Sequence, residues 1–240
     1  MAELVAAGLV LLAGVVQGVT GFGASIVMML GLPYFFAVPQ AAGISTAVCM
    51  ALNAALVWRY RRRVNVRKAL LPAILFMAVS AACISLSASL DAALMKRILG
   101  GFLLLLALYY LFFDRSDKRR TLPLWASLLC IVISGACDGL FGIGGPLMVL
   151  YYLNQTEDRD TYMGTMALCF LACCVFNTAY RLLTGVLQPE HLPAMGAGGA
   201  AVLVGAWIAG KIVNRLRPDL IRRLIYGTIG LSGILNLILS

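Results

Sequence analysis

The sequence predicts an all-α polytopic membrane protein of eight hydrophobic segments, arranged as a duplicated four-plus-four unit. Three observations carry this. Hydrophobic residues fill 62% of the 240 positions and charged residues only 12%, where a soluble domain has about a quarter charged; the mean hydropathy is +0.94. The apolar residues fall in runs that match the ~20 residues needed to span a bilayer. The second half of the chain also repeats the glycine pattern of the first.

In order, the segments run roughly 4–36, 40–58, 69–89, 94–113, 122–153, 163–183, 192–210 and 220–239. Six are close to one span. The first and fifth exceed thirty residues, nearly ~50 Å of helix against a hydrocarbon core of ~30 Å. Both are interrupted by glycine, at Gly14 to Ser25 and at Gly135 to Pro146, the latter holding five glycines and a proline. Helix-breaking residues at membrane depth are tolerated where the freed backbone is buried in protein or faces a cavity, so each interruption is a candidate site.

An offset of 121 pairs Gly14 with Gly135, Gly18 with Gly139, Gly21 with Gly142, Gly23 with Gly144, Gly43 with Gly164 and Pro72 with Pro193. After a five-residue insertion, Lys96-Arg97 falls on Arg222-Arg223 and Gly101 on Gly227. The two repeats expected are residues 1–118 and 119–240, within one integral membrane domain.

Charge favours an inverted arrangement of these repeats. If all eight segments cross, the 19 Lys and Arg residues divide 11 to 8. If the first and fifth are re-entrant, each turning back at its glycines, sixteen lie on one side and only Lys96, Arg97 and Arg181 opposite. Residues 4–16 and 24–36 would then be arms of about 13 residues, or ~20 Å each. A kinked single span, with the glycines as the kink, stays open for the fifth segment.

The net charge of +9 fits this topology better than a nucleic-acid partner, because the basic residues sit in short loops without interleaved aromatics. Seven cysteines lie in apolar segments with no Cys-x-x-Cys pair and one histidine in the chain, so packing is their expected role and neither metal nor cofactor is expected. His191, beside Glu190 in a loop, is expected in solvent. The start lacks a basic n-region and its apolar run continues past Gly23, so a cleaved signal peptide is not expected.

The pattern Gly-x-x-Gly-x-Gly-Ala-Ser (Gly18 to Ser25), with Asp-Gly-x-x-Gly-x-Gly-Gly-Pro (Asp138 to Pro146), resembles the sulfite exporter TauE/SafE family of secondary transporters. Gly205-Ala-Trp-Ile-Ala-Gly-Lys is similar to a run near the end of that family's seventh segment. The resemblance covers essentially the whole chain. It implies movement of small anions such as sulfite, sulfonates or related sulfur-containing or organic anions, coupled to an ion gradient, in a bacterial cytoplasmic (inner) membrane. The partners expected are that anionic substrate and the lipid bilayer, with a homo-oligomer left open. The first copy departs from the second, having Gln17, Ala24 and Ser25 where the second has Asp138, Gly145 and Pro146.

Physical reasoning reaches the same class of ligand. A helix that starts at mid-membrane leaves its first N–H groups unpaired and its positive dipole end toward the cavity. Two such starts, lined by Gly18, Gly21, Gly23, Gly139, Gly142, Gly144 and Gly145, make an oxyanion site at the repeat interface, with Thr20 and Ser25 as hydroxyl donors. Close helix packing is the competing explanation of the small residues. Asn53 and Asn177 are candidates for binding substrate or tying helices. Asp138 is the one carboxylate inside a hydrophobic segment, expected to couple transport to an ion or to cap a helix near Gly142. Arg181 is a candidate for attracting the anion at a cavity mouth, or an interfacial anchor. A passive anion channel would share the breaks without needing Asp138. An integral membrane enzyme would need a nucleophile with its base, or a metal cluster, and the sequence offers neither.

Overall fold

A computed structural model describes residues 2–87, 89–113, 123–156 and 158–212. The eighth segment and the loop after the fourth lie outside these. The described residues form nine α-helices and two short 3-10 turns: α1 (Ala2–Thr20), α2 (Ala24–Met29), α3 (Val38–Tyr60), α4 (Val66–Ser87), α5 (Ala92–Phe113), α6 (Leu124–Phe141), α7 (Gly145–Gln155), α8 (Arg159–Leu183) and α9 (Leu192–Ile212), with the turns at Leu32–Tyr34 and Pro189–His191. Five helical stretches among them are long and apolar enough to cross a membrane: α3, α4, α6, α8 and Pro189–Lys211. Their outward faces carry apolar side chains, including Leu71 and Ile74 on α4, Leu124 and Trp125 on α6, and Trp207 on α9, as lipid requires.

The antiparallel pair α3 and α8 forms the centre. Asn53 lies by Cys174 and Gly164 against Tyr60, so the two helices pass each other along their length. Around them, α1 packs on α9 and α6 on α4. Glycine spacing explains how closely. A methyl added to Gly14 would collide with the Val202 carbonyl, and one on Gly18 with Ala206 and Ala209. Correspondingly, Gly135 lies against Phe76 and Val79, and Gly139 against Ser80 and Cys83. These pairs recur at an offset of 121 for the glycines, with Phe76, Ser80 and Cys83 answering to Val202, Ala206 and Ala209 at 126. Spacing of four on a helix is what close backbone approach requires.

The interruptions are therefore narrower than expected. Gly14, Gly18, Gly135 and Gly139 are helical, and α1 and α6 run 19 and 18 residues before breaking. The arms are also unequal: α2 has only 6 residues, and α7 has 11. After each break the chain turns back. Gly31 reaches Leu9 of α1. In the second half, α6 advances along α4 from Phe76 to Cys83. The chain after the break then returns, with Gly144 beside Phe76, the Tyr152 hydroxyl donating to the Lys68 carbonyl at 3.1 Å, and Lys68 Nζ donating to the Gln155 carbonyl at 2.6 Å.

Candidate functional site at the two helix breaks

Each break is made by glycine in the left-handed region, which other residues adopt only at a cost. Gly21 and Gly23 have φ of 85° and 97°, and Gly142 has φ of 67°. The N–H groups of Gly21 and Gly142 donate to the carbonyls of Gln17 and Asp138, each at 2.8 Å, and so end α1 and α6. A methyl on Gly21 would meet Met163 of α8, and one on Gly142 would meet Ala42 of α3. That space is filled by protein. The tip glycines thus serve chain reversal and helix contact.

Both breaks come together at the centre. A methyl on Gly145, the first residue of α7, would lie 3.4 Å from Phe22 Cβ and 3.9 Å from Gly23 N. The starts of α2 and α7 are neighbours.

One side chain from the end of each first helix reaches across its own break. Gln17 Oε1 accepts from the Ala24 N–H at 3.3 Å, and its Nε2 donates to Asn53 Oδ1 at 3.1 Å. Its counterpart Asp138 accepts from Asn177 Nδ2 at 2.6 Å, and the Gly144 N–H is directed at the same carboxylate. The capping geometry expected of Asp138 is present, one residue pair beyond Gly142. It has a partner in the first half, where Gln17 does the same with an amide. Sequence reasoning treated Gln17 only as a departure from the second copy; its alignment with Asp138 was the available signal. Asn53 and Asn177, one helical turn out of register, each hold the capping side chain of their own half.

Arg181 is not at a cavity mouth, nor does it reach an interface. It is fully buried, and its guanidinium donates to the carbonyls of Pro39 (3.1 Å), Asp138 (3.1 Å) and Gly139 (2.7 Å). At the end of α6 the Asp138 carbonyl already accepts from the Gly142 N–H, so the fork shares that carbonyl and serves that of Gly139 beside it, with a third bond to α3. His191 is likewise buried, its ring edge-on to Phe36 with centroids 5.8 Å apart. Its 3-10 turn folds it inward, where Nδ1 lies 3.1 Å from the Gln188 N.

Of the remaining residues, Ser25 is partly buried in the first turn of α2, with its N–H directed at Cys49. Gly18 and Gly139 belong to the helix contacts described above. The Thr20 side chain lies outside the described residues.

At the other end of α3 and α8 opens a cavity of about 710 Å³, lined by Gly18, Asp160, Gly210 and the arginines 59, 61, 62, 63 and 159, with Trp58 and Tyr60. Sequence reasoning took these arginines only as markers of topology.

A family model for the sulfite exporter TauE/SafE matches residues 6–235. The chain belongs to the TauE/SafE family. Searches of curated proteins and of solved structures give no match. As a TauE/SafE protein with several spanning helices, it is an integral, multi-pass membrane protein of a transporter family.

Proposed function

We propose that this TauE/SafE protein is a secondary transporter of small anions, sulfite, sulfonates or related sulfur-containing or organic anions, with its site where the two breaks meet. The close approach of Gly145 to Phe22 and Gly23 is the observation that carries the reading, because it sets the start of α7 beside the other break. The dipole and N–H groups at the start of an 11-residue helix favour an anion. In the present arrangement Gln17 and Asp138 occupy the N–H groups of Ala24 and Gly144, so an incoming anion takes over donors that these side chains now hold.

The first and fifth segments are read as re-entrant and the repeats 1–118 and 119–240 as inverted. The return of α7 to Lys68 and the recurring glycine contacts support both. Rocking of one repeat against the other would expose the site alternately.

Asp138 is assigned the coupling role. It is the asymmetric member of the Gln17–Asp138 pair, and an ionised carboxylate held against the α7 start competes directly with an anion for it. Protonation would release the donor, so proton and anion would move together.

The test is sulfite uptake into proteoliposomes with and without an imposed pH gradient. Wild type is expected to accumulate sulfite only with the gradient, and Asp138→Asn to equilibrate without accumulating. Gradient-driven accumulation unchanged in Asp138→Asn sinks the coupling role, and gradient-independent flux in wild type favours a passive channel.

A further inference from the structure

We propose that the arginine-lined cavity at the junction of α1, α3, α8 and α9 is a second anion site, for a tetrahedral or pyramidal oxyanion, separate from the breaks. Topology alone asks that arginines lie on one side of the membrane; it does not ask that they converge. Here Arg59 ends α3, Arg61, Arg62 and Arg63 follow in the loop, and Arg159 opens α8, yet all five face one space of about 710 Å³ with a single carboxylate, Asp160, among them. The neighbouring carboxylate of Asp158 caps α8, accepting from the Thr161 N–H at 2.9 Å, and lies within electrostatic reach of Arg63; it is not among the residues that line the cavity. Five exposed guanidinium groups around one open cavity raise the local positive potential, which favours an anion among them.

Aromatic rings flank two of these side chains. Arg61 lies over the Trp58 ring at 4.6 Å and Arg59 over the Tyr60 ring at 5.7 Å, and a guanidinium is a planar fork suited to bidentate contact with oxyanions. Arg159 Nη2 donates to the Val19 carbonyl at 3.1 Å, in the last turn of α1, two residues before the left-handed Gly21. An anion drawn onto Arg159 would compete for the group that ties down the α1 end, linking occupancy of the cavity to the first break. The chemistry fits two sources, a free oxyanion such as sulfate or sulfite and the phosphate of a lipid headgroup.

The inference does not rest on the breaks being the transport site, and Trp58 gives it a readout of its own. A Trp125→Phe, Trp207→Phe background leaves Trp58 as the sole tryptophan. In phosphatidylcholine nanodiscs, titration with sodium sulfate at constant ionic strength should change its emission saturably. Arg61→Gln with Arg62→Gln should raise the half-saturation point at least about tenfold, while Arg61→Lys with Arg62→Lys, keeping charge but not the fork, should fall between. No saturable change, or one that both double variants leave as it was, overturns the site. Comparing nanodiscs containing phosphatidylglycerol with nanodiscs given the same negative surface charge by a carboxylate lipid separates the sources, since both repel sulfate equally: a headgroup-phosphate occupant shifts the sulfate response further in the first, and a free-anion site gives the same curve in both. A protein that passes this test yet transports no sulfite would keep the cavity site and lose the reading of the breaks.

Discussion

Arg181 grips Asp138 by its main chain. The guanidinium donates to the Asp138 carbonyl at 3.1 Å, while the Asp138 carboxylate is held by Asn177 at 2.6 Å. One turn of α8 thus serves two purposes, since Asn177 positions the acid and Arg181 closes the helix that carries it. A buried charge normally needs hydrogen bonds in compensation; here three carbonyls accept from the guanidinium, and the Asp138 carboxylate takes its hydrogen bond from Asn177 instead.

Replacing Arg181 with Lys should therefore destabilise the protein even though charge is conserved. An ammonium cannot span the carbonyls of Pro39 and Gly139 in the manner of a planar fork, and leaving the buried Gly139 carbonyl unpaired costs about 1–3 kcal/mol. Thermal unfolding followed by tryptophan emission would measure it. An unchanged melting temperature in Arg181→Lys would show that the fork is not needed.

Glycines of the helix contacts and glycines in open space should separate cleanly. Gly14→Ala and Gly205→Ala each put a methyl into a carbonyl of the facing helix, Val202 and Leu11 respectively, and overpacking of this kind costs about 1–3 kcal/mol. Gly8→Ala and Gly196→Ala, with nothing within 4 Å of the added carbon, should be neutral or stabilising by up to about 1 kcal/mol. Melting temperatures of the four variants in one detergent make the comparison.

Hydropathy and spacing made much of this legible. Segments drawn at 40–58, 163–183 and 192–210 correspond to α3, α8 and α9 within a few residues, because long apolar runs leave little choice of structure. The places of both breaks were legible from glycine density, but their extent was not. Gly14 and Gly135 look like part of the break in one dimension, and only the facing helix shows that they are contact points. Arg181 was misplaced for a similar reason: a lone arginine near a segment end usually snorkels, and the carbonyls it serves come from residues 39, 138 and 139, far away in sequence. The buried His191 depends on one 3-10 turn that no pattern announced.

The two capping pairs predict a coupling that can be measured. In a double-mutant cycle, Gln17→Ala and Asn53→Ala should share an interaction energy of about 1 kcal/mol, as neighbours in one hydrogen bond do. Asp138→Ala and Asn177→Ala should share more, because a charged acceptor strengthens the bond. Strict additivity in both cycles would contradict the contacts.

At the start of α8, the Thr161 N–H holds the Asp158 carboxyl below its usual range, with Arg63 adding to the effect. A group with a depressed folded value stabilises the protein above its unfolded pKa and loses that effect as pH falls through the folded one. Asp158→Ala should lower the melting temperature at neutral pH, and the difference from wild type should close in acid. A gap that stays constant down to pH 3 would rule the cap out as its source.

The meeting of Gly145 with Phe22 and Gly23 bears on leak as well as on binding. A gate made of side chains can be trimmed open one residue at a time. Here only the α7 side is bare main chain, a glycine with nothing to trim; the facing side is the Phe22 side chain beside the Gly23 N–H. An alanine scan of the lining should therefore raise resting permeability at Phe22, the one side chain in the meeting, while the Gly145 side opens only when the α7 turn itself withdraws.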